Sequence, residues 1–369
     1  MSKRAVVAMS GGVDSSVSAA LLVEDGYDVT GIMLKLWRGP EMNTNSGCCN
    51  LSAADDARRV ADVLGIPFYV LNFAERFEET VISDFNQTYA SGRTPNPCVR
   101  CNQWIKFDAL LDRARAFDAD ILATGHYARV REANGSRRLL RGADPRKDQS
   151  YVLWMLSQEE LARCAFPVGE MQKSETRRIA RDLGLRTAAK PDSQEICFVR
   201  GGDVRAYVSD RIPEANRPGP ILDTSGRLLG EHRGIGHYTV GQRKGLGVAL
   251  GHPVFVAAID PVANAVVVGG HEEVATSGFV GEEVSFVGES PIDGCEVLVQ
   301  HRAHGDVAPA RIYLDSGGFE IVFDRPVEAV APGQSAALYS AEDPDELLGG
   351  GIIASTTTAE LDVRGAVRP

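Results

Sequence analysis

The segment AVVAMSGGVDSSVSAALLVE, Ala5 to Glu24, sets the architecture of the N-terminal part. Its apolar start, Ala5 to Met9, reads as a buried strand. From Ser15 to Glu24 apolar side chains return at helical spacing and stop before Gly26, and Val29 to Leu34 supplies a second strand. Strand, glycine-rich turn, helix and strand make a βαβ unit, which implies a parallel sheet flanked by helices. Between the first strand and the helix lies SGGVDSS, Ser10 to Ser16. Gly11 and Gly12 let the backbone approach an anion with no Cβ in the way, and the unpaired N–H groups and dipole of a helix start favour negative charge. Ser10, Ser15 and Ser16 add hydroxyl donors. The spacing fits neither GxxxxGK[ST] nor GxGxxG.

Outward from this unit, a polar loop with Gly47, Cys48 and Cys49 leads to a helix around Ser52 to Leu64, where Ser52 and Asp55 have capping-box spacing. Phe68 to Asn72 reads as a strand, Glu75 to Tyr89 and Gln103 to Phe117 as helices, Ile121 to Thr124 as a strand, and Lys173 to Leu183 as a helix. The prolines of TPNPCVRC are expected to keep the stretch between the two middle helices irregular. From about Gly201 onward glycine, proline and valine dominate. Runs such as VFVAAI, AVVVGG, EVLVQH, ARIYLD and FEIVFD then arrive at short intervals, as in a small barrel or sandwich. The expected units are 1–203, an α/β domain; 204–274, a small central domain; 275–360, a β-barrel; and 361–369, a loose tail.

A chain of 369 residues exceeds what one core organises, which agrees with several domains. No apolar run approaches the length that crosses a bilayer, and MSKRAVVAMSGG runs straight into a strand with no room for a secretory segment, so a cytoplasmic protein without a membrane partner is expected. The net charge of -11 argues against a protein that coats nucleic acid nonspecifically, since counterion release needs clustered Lys and Arg. Arg129 to Lys147 is a local exception, with seven basic side chains against two acidic ones. It suits either a phosphate-contacting face or a solvated hairpin. The seven cysteines, Cys48, Cys49, Cys98, Cys101, Cys164, Cys197 and Cys295, are odd in number and scattered, and read as thiols rather than a disulfide framework.

SGGVDSS resembles the PP-loop of ATP pyrophosphatases. The resemblance implies a loop that holds pyrophosphate while a substrate oxygen attacks the α-phosphate of ATP. It implies ATP contacts at Ala8, Met9, Ser10, Gly11, Gly12, Val13, Asp14 and Ser15, with Met33 and Gly125 bordering adenine and ribose. Mg²⁺ is implied by the triphosphate, with Asp14 as the suspected ligand.

Cys98 and Cys101 form a C-x-x-C immediately before a helix, where the helix start raises the thiolate fraction, and Cys197 lies in PDSQEICFV after Lys190. Taken singly, each is as well read as a small buried hydrophobe. Taken together, SGGVDSS, GCCN, ADDARRVADVLGIPFYVLNF, GRTPNPCVRCNQWIKF, TGHYAR, KDQSYVL, DSQEICFV, TVGQRKGLG and APGQSA resemble, in this order and over nearly the whole chain, the bacterial tRNA-specific 2-thiouridylases. This resemblance implies a Rossmann-like, adenine nucleotide α-hydrolase-like N-terminal domain. It implies adenylation of the C2 oxygen of the wobble uridine of tRNAs for Lys, Glu and Gln, then replacement by a persulfide sulfur. Cys101 is then the nucleophile and Cys197 the persulfide carrier, charged by a cysteine desulfurase or a relay protein. Asn96, Pro97 and Cys98 are expected to border the base, with His126 nearby. Lys147, Asp148 and Gln149 are expected at the anticodon region, and Arg302 and Gln334, with the Gln242, Arg243 and Lys244 loop, at other parts of the tRNA. Many relatives resemble the pattern with Asp where this chain has Cys98, so the role of Cys98 is unassigned. Three readings stay open beside this one: an iron–sulfur cluster on Cys98, Cys101 and Cys197; another PP-loop ligase, amide-forming or lysidine-forming; and a noncatalytic RNA chaperone that binds nucleotide or an iron–sulfur cluster.

Overall fold

The computed structural model describes residues 2–37, 51–192, 196–248, 251–303 and 305–358. Gly47, Cys48, Cys49, Ser193 to Glu195 and the expected tail 361–369 lie outside the described residues. The first domain contains β1 (Arg4–Ala8), β2 (Asp28–Lys35), β3 (Phe68–Asn72), β4 (Ile121–Ala123), a hairpin of β5 (Ala128–Ala133) and β6 (Ser136–Arg141), and β7 (Cys164–Ala165). All but the hairpin form a parallel sheet in the order β3-β2-β1-β4-β7. The sheet is centred on β1, whose Ala5, Val6 and Val7 are buried. Strand order reverses between β1 and β4, so the turns leaving their carboxyl ends face one crevice, the place where doubly wound sheets bind ligands. Helix α1 (Val13–Glu24) starts there and is buried over most of its surface, followed by α2 (Leu51–Leu64).

Ala74–Phe77, Glu78–Ile82 and Ser83–Ala90 run on as one rod with π geometry in its middle. A second rod starts at Pro97–Arg100, widens to π geometry over Cys101–Leu110 and ends as Leu111–Ala116. This corrects the expectation that TPNPCVRC is irregular throughout. Pro97 takes the first helical position, where a missing N–H breaks no bond, and the Asn96 side chain caps the helix by accepting from the Val99 N–H at 3.3 Å. Cys98 and Cys101 therefore stand on the first two turns of a helix.

Helix Val204–Arg211 opens the central unit. Its strands β8 (Gly219–Asp223), β9 (Leu228–His232), β10 (Phe255–Asp260) and β11 (Ala265–Gly269) lie in the order β10-β11-β8-β9 around Ile221, Val256, Val266 and Val268. The strands β12 (Thr276–Phe286), β13 (Glu296–Gln300), β14 (Ala308–Asp315), β15 (Gly318–Val327), β16 (Ser335–Ser340) and β17 (Glu346–Thr358) then form an antiparallel barrel, closed by pairing of β12 with β17. Closure removes the open strand edges, and Phe279, Val297, Ile312, Ile321, Leu338 and Ile353 fill the interior. The α/β domain, small central domain and C-terminal barrel agree with the sequence reading. Among the described residues no helix is long and apolar enough to cross a membrane.

The hairpin of the first domain belongs to the barrel's sheet. β6 pairs antiparallel with β17, Leu140 opposite Glu346 and Leu139 opposite Leu347, and both leucines are buried. Its basic side chains face carboxylates: Arg129 meets Asp345, Arg138 meets Glu346 at 3.1 Å, and Arg137 meets Glu132 at 3.3 Å. Arg129 and Arg138 thus tether the first domain to the barrel, whereas Arg131 and Arg146 stay exposed.

Candidate active site: a phosphate loop and a thiol-bearing helix

Gly11 holds φ at +71°, and a Cβ there would lie 2.3 Å from the Ala53 carbonyl oxygen at the start of α2. Only glycine meets both demands. Extended Gly12 is the N-cap of α1, and its carbonyl accepts from Ser16 Oγ at 2.8 Å and Ser15 Oγ at 3.2 Å. Ser15 Oγ in turn accepts from the Ser10 N–H at 3.2 Å. The turn after β4 closes onto this helix start, since a Cβ on Gly125 would lie 2.6 Å from Ser15 N. Met9, Val13 and Met33 are buried beside the crevice, Ala8 is half-buried, and Met33 pairs with Val70 of β3.

Around the loop stands a network of charge. Lys173 Nζ lies 2.7 and 2.8 Å from the two carboxylate oxygens of Asp14 and 2.9 Å from Asp192. Asp192 also meets Lys147 at 2.7 Å and Arg177 at 3.0 Å, the Tyr127 hydroxyl donates to Asp14 at 2.9 Å, and Lys190 Nζ donates to the Gly11 carbonyl and to Asp56, both at 2.9 Å. Sequence reasoning missed Lys173, Lys190, Asp192 and Tyr127 as site residues. Most of their partners lie far away in the chain, and MQKSETRR around Lys173 carries no motif. For Asp192, burial raises the pKa, but hydrogen bonds and charge from Lys147 and Lys173 outweigh it and hold the carboxyl at about 2. A depressed carboxylate stabilises the fold above its ordinary pKa and loses that contribution as pH falls through the folded value. Asp192→Asn is therefore expected to flatten the part of acid unfolding that falls between pH 3.8 and about 2, measured by circular dichroism.

Mg²⁺ commonly keeps phosphates and waters as ligands and takes only one or two carboxylates, and Asp14, with 30% of its side chain exposed, fits as such a ligand. The structure offers no support for an iron–sulfur cluster on Cys98, Cys101 and Cys197. Among the described residues no group of three or more His, Cys, Asp or Glu side chains is arranged to hold a metal, and Cys98, Cys101 and Cys197 are all described.

Cys98 is exposed at the helix start. Cys101 and Cys197 are half-buried and pack against the same core cluster. Burial pushes the Cys164 and Cys295 thiols up, away from reactivity. Arg100, beside Cys101, has almost no exposed side chain. It holds Glu283 of the barrel through two bonds of 2.7 Å, reaches Asp84 at 3.4 Å, and lies 4.7 Å from the centroid of the Trp104 ring. The Arg100 hydrogen bonds lower the Glu283 pKa, whereas burial raises that of Asp84, so Glu283 is the principal ionic partner.

Family models described as tRNA methyl transferase HUP domain, tRNA methyl transferase PRC-barrel domain and aminomethyltransferase beta-barrel domain match residues 3–201, 205–270 and 276–353. The chain is 48% identical to the tRNA-specific 2-thiouridylase MnmA of Roseiflexus castenholzii over 368 residues, covering 95% of this chain and 98% of that one. It is 49% identical to the same-named protein of Moorella thermoacetica over 357 residues, covering 95% and 99%. The chain belongs to the tRNA-specific 2-thiouridylase family. Among solved structures, a 4-thiouridine synthetase–RNA complex with bound ATP aligns at 16% identity over 57% of this chain and 51% of that one, with a TM-score of 0.35, and carries no weight.

In this 2-thiouridylase chain Arg141 joins two of the expected tRNA-facing stretches, meeting Asp148 at 2.7 Å and Gln300 at 3.3 Å, and Gln300 donates to the Arg302 carbonyl at 3.1 Å. Arg302 is exposed on the turn after β13, and Gln149 is exposed, its Oε1 accepting from the Tyr127 N–H at 3.0 Å. Lys147 holds Asp192. Asp148 accepts from Gly142 N–H, Ser150 N–H and Arg141, and so supports its neighbours. His126 lies inside the domain, its Nδ1 2.7 Å from Thr124 Oγ1 and its ring about 6 Å from Phe107 and Phe166. Burial, and secondly Lys106, keep it neutral. The Gln334 amide donates to the carbonyls of Thr94 and Pro95, at 3.1 and 3.0 Å. Gln242 bonds within its own turn, to Thr239 N and Lys244 O.

Proposed function

We infer that this chain is an ATP-dependent tRNA-uridine 2-sulfurtransferase that converts the wobble uridine of tRNA to 2-thiouridine. The carrying observation is the near-complete match, at almost half identity, to curated tRNA-specific 2-thiouridylases. The glycine-built anion site at Gly11 and Gly12 and a thiol on the first turns of a helix supply the chemistry such a reaction needs. The uridine C2 oxygen attacks the α-phosphate of ATP, and pyrophosphate leaves from the loop. Lys173 and Lys190 supply positive charge there, and Mg²⁺, when bound with ATP, screens phosphate charge beside Asp14. The terminal sulfur of a persulfide on Cys197 then attacks C2, and AMP departs with the oxygen. The Cys101 thiolate attacks the Cys197 sulfur of the resulting chain, which releases 2-thiouridine and leaves a Cys101–Cys197 disulfide for an external thiol to reduce. The persulfide sulfur gains two electrons, and the two thiols lose them. Asn96, Pro97 and Cys98 are the residues proposed beside the base, and tRNAs for Lys, Glu and Gln the substrates. The sulfur donor is a persulfide-forming desulfurase or a relay protein.

The test is a mercury-gel shift on unmodified tRNA for Glu or Lys incubated with enzyme, ATP, Mg²⁺ and a persulfide-generating desulfurase. A retarded band that needs ATP and vanishes in Cys197→Ser is expected. Pyrophosphate release without tRNA dependence and with no band would instead indicate a different PP-loop ligase.

A further inference from the structure

The thiol-bearing segment is gripped by the barrel. Pairing of β12 with β17 slips between Glu282 and Ser285: β12 advances three residues while β17 advances two, from Ile352 to Gly350. The extra residue is a β-bulge, and Glu283 within it adopts φ of +51°. In a regular strand Glu282 and Glu283 would point to opposite faces. Here both reach the first domain, Glu282 to Arg93 and Glu283 to Arg100. These two arginines bracket Thr94 to Val99. Between them the barrel holds the backbone itself: the Thr94 N–H donates to the Pro332 carbonyl at 2.8 Å, and Gln334 takes the Thr94 and Pro95 carbonyls.

We propose that the β12 bulge and Gln334 are a positioning device for the thiols, so that the barrel, not only the domain that carries Cys98 and Cys101, fixes where they stand, and that Glu283 and Gln334 are positioning residues for sulfur transfer. The proposal rests on the reading of Cys101 as nucleophile. A Glu at φ of +51° is held in a conformation that L side chains rarely adopt, and the two-bond contact with a buried guanidinium is what that conformation achieves. Gln334, expected from sequence to touch RNA, directs its amide nitrogen to the TPNPC segment.

The experiment uses full-length Gln334→Ala and Glu283→Gln, with Glu283→Asp as the charge-retaining control. For Gln334→Ala and Glu283→Gln the turnover rate in tRNA thiolation is expected to fall about tenfold or more, with tRNA KM and Kd within about twofold. Glu283→Asp is expected to recover part of the loss. Hydrogen–deuterium exchange should quicken over residues 93–104 and stay unchanged in β14 and β15. A tenfold weaker tRNA Kd with turnover intact would make Gln334 an RNA contact, and unchanged turnover in both variants would remove the positioning role. Cys101→Ser is measured alongside. If it thiolates at the wild-type rate, the nucleophile assignment fails; if it is inactive while Gln334→Ala and Glu283→Gln are normal, only the positioning inference fails.

Discussion

Cys101→Ser is expected to lower tRNA thiolation by about 10³-fold or more, since a serine hydroxyl is a far weaker nucleophile than a thiolate at neutral pH; that loss is about 4 kcal/mol of transition-state stabilisation. Adenylation uses the phosphate loop and not this thiol, so tRNA-stimulated pyrophosphate release should persist. The sulfur chain between Cys197 and the base then has no resolving thiol. A covalent tRNA–enzyme adduct is expected to accumulate when no external thiol is present, visible as a slow band on a denaturing gel and released by a reductant. Wild-type thiolation by this variant, or the same adduct in Cys197→Ser, would overturn the assignment of the two roles.

Lys173→Met is expected to raise the Kd for ATP about tenfold or more and to slow pyrophosphate release. The ammonium stands between Asp14 and Asp192, with only a tenth of its side chain exposed. Without it, two carboxylates face the place where a polyphosphate is proposed to bind. Repulsion between unit charges about 4 Å apart is on the order of 1 to 4 kcal/mol between the dielectric of water and that of a protein surface. Asp14 and Asp192 keep a quarter or more of their side chains exposed, so water takes up part of the loss, and destabilisation should stay below the full cost of an orphaned buried charge. Isothermal titration of ATP together with thermal unfolding separates the effects. A fall in stability with ATP affinity unchanged would make Lys173 a structural cation only.

Local patterns are legible in this sequence. Strand, glycine turn and helix around SGGVDSS are contiguous, so the phosphate loop needs no long-range information, and the barrel strands announce themselves by short apolar runs between turn residues. The difference at TPNPCVRC is also local: proline reads as a breaker, although at the first helical position it lacks only a bond the helix would not make. Side-chain partnership across the chain is not legible. Arg138 and Gln334 look alike as polar residues of RNA-contact type, yet one tethers a hairpin to β17 and the other holds the segment before Cys98.

The parallel α/β domain, the anion-binding loop, the barrel and the resemblance that points to tRNA thiolation can be read along the chain, because each is written in adjacent residues or in motifs kept in order. Which charges neutralise which, the joining of a first-domain hairpin to the barrel's sheet, and the grip of a β12 bulge on both ends of the Thr94 to Val99 segment emerge in three dimensions alone. Those choices depend on groups distant along the chain meeting in space, and charge or polarity in a sequence does not specify its partner.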